Sequence, residues 1–131
     1  MAVGLHAVNL ANKWLDMLGA TAFTAPTNTY VKLHTADPGA AATNAPSSVT
    51  TRVILAWAAG AAGSKSIQAT FPVWASWAGT NGEVVSHISV WDNLTAGNFL
   101  FSAALTTPKT VNTGDTLTLT SLSVSFTPVA A

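Results

Sequence analysis

The sequence predicts a mainly β, antiparallel domain of the β-sandwich or jelly-roll kind, preceded by one N-terminal α-helix. Three observations carry that reading. From Thr29 onward, apolar and polar residues alternate through several short stretches, the period at which successive side chains point to opposite faces of a strand. Gly, Pro, Asn and Asp separate those stretches at close spacing, as turns require. Apolar residues recur at three- and four-residue steps only in the first 19 residues, the stripe of an amphipathic helix.

The helix is expected over 1–19. Val3, Ala7, Leu10, Trp14 and Met17/Leu18 form its stripe, Ala11 and Leu15 widen it, and Gly19 supplies a C-terminal stop. No basic leader precedes the apolar part, so it reads as a domain helix and not as a signal peptide. The β region is expected over 28–128 within a single domain. Its first strand is "TYVKLHT", ended by "ADPG", where Pro38 presets a turn and Gly39 tolerates positive φ. "AATNAPSSVTT" has no period and reads as a long surface loop. "RVILAWAA" is a strand, "GAAGSKS" a turn, and "IQATFPVWASWA" a strand in two pieces with Pro72 at an edge or bend. "GTNGE" is a loop, "VVSHISVWD" a clear strand, "NLTAGN" a turn and "FLFSAAL" the returning strand. "TTPKTVNTGD" then crosses over.

The closing stretch "GDTLTLTSLSVSF" changes phase. Leu117 and Leu119 occupy odd positions, whereas Leu122, Val124 and Phe126 occupy even ones. A bulge, or a corner where the chain moves from one sheet to another, produces such a flip. Alternatively the strand merely stops at Ser121. Phe126 is expected in the core on this reading.

Function classes are bounded mainly by what is missing. Only five basic and five acidic residues occur among 131, and they balance to zero. Charged residues make up 8% where a soluble domain carries about 25%. Thr, Ser, Asn and Ala stand in their place, a composition suited to sitting against other protein. The cations Lys13, Lys32, Arg52, Lys65 and Lys109 are scattered in sequence with no basic stripe, which argues against nucleic acid. No apolar run is long enough to span a membrane as a helix. Cysteine is absent, which removes disulfides and thiolate metal sites.

No catalytic constellation is legible. His6, His34 and His87 are isolated, no serine sits in a G-x-S-x-G elbow, and the acids Asp37, Glu83, Asp92 and Asp115 each adjoin a turn whose local hydrogen bonds account for them. The expectation is a non-enzyme without metal or cofactor, with His34 and His87 as bonded strand residues. The five tryptophans, Trp14, Trp57, Trp74, Trp77 and Trp91, read as core and interface anchors. A row of exposed indoles binding carbohydrate is the alternative from another class.

The segments "AVGLHAVNLANKWLDML", "YVKLHTADPGAAATNAPSSVTTR" and "VVSHISVWDNLTAGNFLFSAALTTPKTVNTGDTLTLTSLSVSF" resemble small virion structural proteins of tailed bacteriophages, notably those of actinobacteria. Members of that family are labelled minor capsid or head-decoration, minor tail, or tail fibre-like. The resemblance implies a virion component, assembled in the host cytoplasm, with no catalytic residue to transfer. It implies major capsid or tail proteins as neighbours, capsid decoration being the first expectation and a minor tail or fibre-base protein the second. The residues themselves add self-association, with a homotrimer favoured. Leu10, Trp14 and Leu18 of the helix and Thr118 and Ser123 of the hydroxyl-rich face are the candidate assembly contacts.

Overall fold

The computed structural model describes residues 3–126. The chain is mainly β and antiparallel, with one short helical segment near the N-terminus. Nine strands are described: β1 (Gly4–Leu5), β2 (Thr29–His34), β3 (Val53–Leu55), β4 (Ser64–Ser66), β5 (Val73–Trp74), β6 (Glu83–Trp91), β7 (Phe99–Val111), β8 (Leu117–Thr118) and β9 (Ser123–Ser125). Five form one sheet in the order β1-β7-β6-β2-β3, while β4-β9 and β5-β8 form two separate ribbons. Residues 127 and 128, the expected end of the β region, lie outside the described residues, as do Met1 and Ala2 of the expected helix.

Register fixes the two faces of the sheet. Val31 pairs with Val53 and Val90, Leu33 with Ile88, and Val90 with Phe101. Directly paired residues share a face, so these side chains make one apolar surface. Val31, Leu33, Ile88 and Val90 are buried there together with Trp74 and Trp77. Leu117, Leu119, Leu122 and Val124 of the closing stretch pack on the same cluster half-buried, so the ribbons supply its cover. The opposite face carries Tyr30, Lys32, His34, His87, Ser89 and Trp91.

The phase change at Thr120-Ser121 is a change of partner. Leu117–Thr118 pairs with Val73–Trp74, and Ser123–Ser125 pairs with Ser64–Ser66. Between them the chain is held by Leu119 N donating to Pro72 O at 3.0 Å and by Leu122 O accepting from Ile67 N at 3.0 Å. Both apolar runs meet the core because the chain rolls over as it leaves one ribbon for the other. Phe126 corrects the expectation: it is 58% exposed, so the truncation penalty of a core ring does not apply to it.

Several elements differ from the sequence reading, each for a tertiary reason. The helix does not begin near residue 1. Gly4 and Leu5 extend along β7 opposite Ser102 and Phe101, because the outer edge of β7 offers hydrogen bonds that a helical first turn lacks. Helical structure starts at Ala7 and is irregular: a π turn at Ala7–Ala11, an α turn α1 at Asn12–Asp16, and a 3₁₀ turn at Met17–Gly19. The left-handed residue closing it is Ala20, at φ 63, and not Gly19.

"TTPKTV" is no crossover but the second half of β7. Val85 pairs with Lys109 while His87 pairs with Ala104. Ser86 alone therefore faces four residues, Leu105 to Pro108. Pro108 sits inside this wide bulge, where its missing N–H removes no ladder bond.

The segment after Asp37 is no plain surface loop either. It doubles back as a strap that completes the outer edge of β2 beyond β3, with Thr35 N donating to Ala45 O and Ser47 N donating to Leu33 O. Pro38, Ala42 and Ser47 are buried. Glu83 anchors the strap's far end, accepting from the Ser47 hydroxyl and from Ser48 N. This carboxylate is thus explained by partners some 36 residues away and not by its own turn, which corrects the local account. Asp37, Asp92 and Asp115 do accept from nearby backbone, at Gly39, Asn98 and Asn112 respectively.

Candidate assembly surface

On the polar face of the sheet His34, Ser89 and Trp91 form one bonded chain. The Asn44 carbonyl can only accept, so His34 Nδ1 carries the proton and donates to it at 2.9 Å. His34 Nε2 is then the acceptor of the Ser89 hydroxyl at 2.8 Å, and Ser89 Oγ accepts from Trp91 Nε1 at 2.8 Å. The result is a directional chain, Trp91 to Ser89 to His34 to Asn44, with a neutral imidazole. Ser86 Oγ donates to Thr35 O, leaving His87 Nδ1 to donate to the Ser86 oxygen at 2.8 Å. The ring nitrogens bonded here, Nδ1 and Nε2 of His34 and Nδ1 of His87, meet a carbonyl and serine hydroxyls, so among the described residues these bonds make no triad. As read from the sequence, His34 and His87 are bonded strand residues. His6 caps the helical segment, its Nδ1 accepting from Asn9 N at 3.1 Å.

This arrangement makes the fold sensitive to acid. Burial lowers the His34 pKa, and the Lys32 and His87 charges lower it further, outweighing the Asn44 and Ala45 carbonyls that favour protonation. An unfolded histidine takes up a proton below about 6.5, where the folded one does not. Stability is therefore complete above that pH and falls as pH descends toward the folded pKa. At Glu83 burial pushes the pKa up, but hydrogen bonds from Ser47 and Ser48 outweigh it and hold the net value below 4.5. Its contribution is present above 4.5 and is lost as pH falls through the lower folded value. Both groups clamp the strap, so melting temperature is expected to drop from pH 7.5 to 5 through His34, and again below 4.5 through Glu83. A melting temperature flat across that whole range would contradict the assignment.

The N-terminal segment is fixed on the outer edge of β7. His6 N donates to Leu100 O at 2.7 Å, Asn9 Nδ2 donates to Phe99 O at 2.9 Å, and the His6 ring packs edge-on against Phe99. Leu10 N and Ala11 N both donate to His6 O, which is why the first turn is wide. The segment turns Leu10 into the core, 6% exposed, and half-buries Trp14. It leaves Val8 at 66%, Leu15 at 64%, Met17 at 52% and Leu18 at 87% exposed. Leu10 is therefore committed to this chain's own core, while Leu18 is exposed on it.

Beside the segment runs an open groove of about 700 Å³, lined among others by Trp14, Phe23, Trp57, Phe101, Val124 and Phe126. Trp14 and Phe126 meet edge-on at 5.2 Å, and Trp57 Nε1 is satisfied by Thr29 Oγ1 at 2.7 Å. Thr118 and Ser123 are exposed on different ribbons, so the structure does not gather them with Trp14 and Leu18. Val8 lies off the apolar stripe, and Leu15 and Met17 were counted in it without being named as contacts, although all three are exposed. Their own signal was a surplus of apolar side chains all round a short segment. Of the tryptophans, Trp74 and Trp77 are buried, and Trp14, Trp57 and Trp91 are half-buried.

The described surface combines exposed apolar side chains with many hydroxyls and few charges. Among the described residues no group of three metal-ligating side chains converges, and no helix is long and apolar enough to cross a membrane. The family model described as "Podophage GP4 fiber I protein gp80" matches residues 7–127. No curated protein matches the chain. The match runs from the first helical turn through the last ribbon, and the chain belongs to the podophage GP4 fiber I protein gp80 family, as a structural protein of a phage particle.

Proposed function

We propose that the chain is a fibre subunit of the phage tail that associates with copies of itself, a trimer being the favoured state. The observation that carries this is the set of exposed apolar side chains Val8, Leu15, Met17 and Leu18 around a segment bonded to β7. A patch of that kind on a virion protein is an interaction surface. The family's description as a fiber protein favours the tail over capsid decoration. Closed symmetry is the common outcome for identical subunits. Light scattering of the purified chain is expected to give a discrete oligomer, and purified particles to hold a small multiple of three copies. A strict monomer at high concentration, or hundreds of copies per particle, would overturn the self-association and the tail placement respectively.

The hydroxyl surface takes part in the same reading. Thr and Ser satisfy hydrogen bonds at a contact without the desolvation that charges suffer. Beside β4 the segment 56–58 already pairs through Ala58 N to Ser66 O and Gln68 N to Ala56 O. Thr118→Lys with Ser123→Lys is expected to leave the melting temperature of the isolated chain unchanged while lowering its incorporation into particles. Wild-type occupancy of the double variant would show that face to be free in the virion.

A further inference from the structure

Two of the chain's five Lys and Arg residues, far apart in sequence, meet on the polar face of the sheet. Lys32 and Arg52 each lie one residue beyond the paired Val31 and Val53, so they stand across from one another on neighbouring chain segments. Like charges so placed repel. Arg52 lies on the same face as Trp91, its guanidinium carbon 3.9 Å from the ring centroid, and Trp91 is the direct partner of Tyr30. Tyr30, Lys32, Arg52 and Trp91 are all half-buried.

Among the described residues Asp92 is the one acid whose charge is felt at Arg52, and it lowers none of the repulsion at Lys32. The Arg52 Nη1 donates to the Asn93 and Ala96 carbonyls, which fixes the guanidinium and leaves its other nitrogens unused. Asp92 lends Arg52 some field, but its carboxylate is occupied by Asn98 N and Nδ2. Among the described residues neither the Lys32 ammonium nor the Tyr30 hydroxyl makes a hydrogen bond. Burial lowers the Lys32 pKa and the Arg52 charge adds to it. Ser89 and His34, the nearest polar neighbours, are spent on each other and on Trp91 and Asn44. Among the described residues the face thus brings a phenol O–H, an ammonium and the remaining guanidinium nitrogens onto neighbouring positions without a bonded acceptor for them. In a chain that avoids charge elsewhere, that arrangement complements one chemistry.

We propose that Tyr30, Lys32 and Arg52 form a binding site for a single oxyanion group, a phosphate or a sugar carboxylate. The anion accepts from Lys32 Nζ, from the unused Arg52 nitrogens and from the Tyr30 hydroxyl, charge-assisted bonds being the strong ones. Trp91, already stacked under Arg52, holds the guanidinium plane. The site sits on the polar face, away from the apolar groove, and stands whether or not the chain assembles through its N-terminal segment.

The test titrates the full chain with inorganic phosphate and, separately, with glucuronate, against chloride at matched ionic strength, following backbone amide shifts by NMR. Saturable shifts confined to Tyr30, Lys32, Arg52 and Trp91 are expected with one or both ligands and not with chloride; the tighter of the two identifies the source of the oxyanion. Lys32→Gln is expected to weaken binding about tenfold or more, as loss of a charge-assisted bond implies. Without ligand the same variant is expected to melt at or above the parent's temperature, because the repulsion with Arg52 is gone. Lys32→Arg keeps binding, and Lys65→Gln changes nothing. Shifts equal to those with chloride, undiminished binding by Lys32→Gln, or a ligand-free Lys32→Gln melting below the parent would each overturn the site, the last by making Lys32 a structural residue.

Discussion

Trp77→Ala is expected to cost about 3–5 kcal/mol of stability, the range for removing a large aromatic side chain from a packed core. Trp77 is 2% exposed and lies just after β5, where Ser76 at φ 51 turns the chain. That turn lets Trp74 and Trp77, three residues apart, both enter the core, which a straight strand would forbid. The residue also joins two loops. Its N–H donates to Asp115 O at 2.8 Å, its carbonyl accepts from Gly114 N at 2.9 Å, and its indole N–H donates to Thr80 O at 3.2 Å. Gly79 approaches so closely that a Cβ there would lie 3.0 Å from Trp77 Cε2. For a domain stable by about 5–15 kcal/mol, the alanine variant loses a large share of the total. Its melting temperature should fall by roughly 10–20 °C. Trp77→Phe keeps most of the bulk and loses one bond to the carbonyl of exposed Thr80, so about 1–2 kcal/mol is expected. Urea unfolding of both variants checks the order. An alanine variant melting with the parent would remove Trp77 from the core.

The second large effect falls on assembly and leaves the fold alone. Leu15→Lys with Leu18→Lys changes two side chains that are 64% and 87% exposed in the single chain, so its melting temperature should hold. In an oligomer that covers them, each leucine contributes about 1.5–3 kcal/mol by burial. Losing both lowers the association constant by roughly two to four orders of magnitude, and two buried ammonium groups add to the loss. Sedimentation of the folded double variant should show monomer at concentrations where the parent is assembled. An unchanged oligomer would place the interface elsewhere. Leu10→Lys is no substitute for this test, because Leu10 is in the core and the variant would fail by misfolding.

How far the sequence could be read follows from the range of each physical signal. Alternation is a property of a few neighbouring residues, and it was legible wherever a strand has one apolar side. "TYVKLH", "EVVSHISVW" and the first half of β7 fall where the pattern puts them. The flip at Thr120-Ser121 marked a real change of ribbon. His34 and His87 could be read as bonded strand residues because both fall inside alternating stretches and no nucleophile motif accompanies them.

Signals that depend on who stands alongside were not legible. Gly4–Leu5 looks helical by period, yet the open edge of β7 recruits it as a strand. Pro108 looks like a strand breaker, yet a bulge facing Ser86 accommodates it. Glu83 looks like a turn residue, yet its partners Ser47 and Ser48 arrive with a strap from far upstream. Leu10 and Leu18 belong to one stripe by spacing, and only the position of β7 and the core separates the buried one from the exposed one.

By itself, then, the sequence determined the class of fold, the positions of most strand faces, the poverty of charge and the absence of a legible catalytic motif. These are sums or local periods, and no partner is needed to read them. Only the tertiary structure decided which edges close, which apolar residues remain exposed, and that Lys32 and Arg52, twenty residues apart in the chain, face each other on neighbouring segments. Those outcomes depend on strand register, a long-range choice set by packing and hydrogen bonding between segments that carry no local mark of one another.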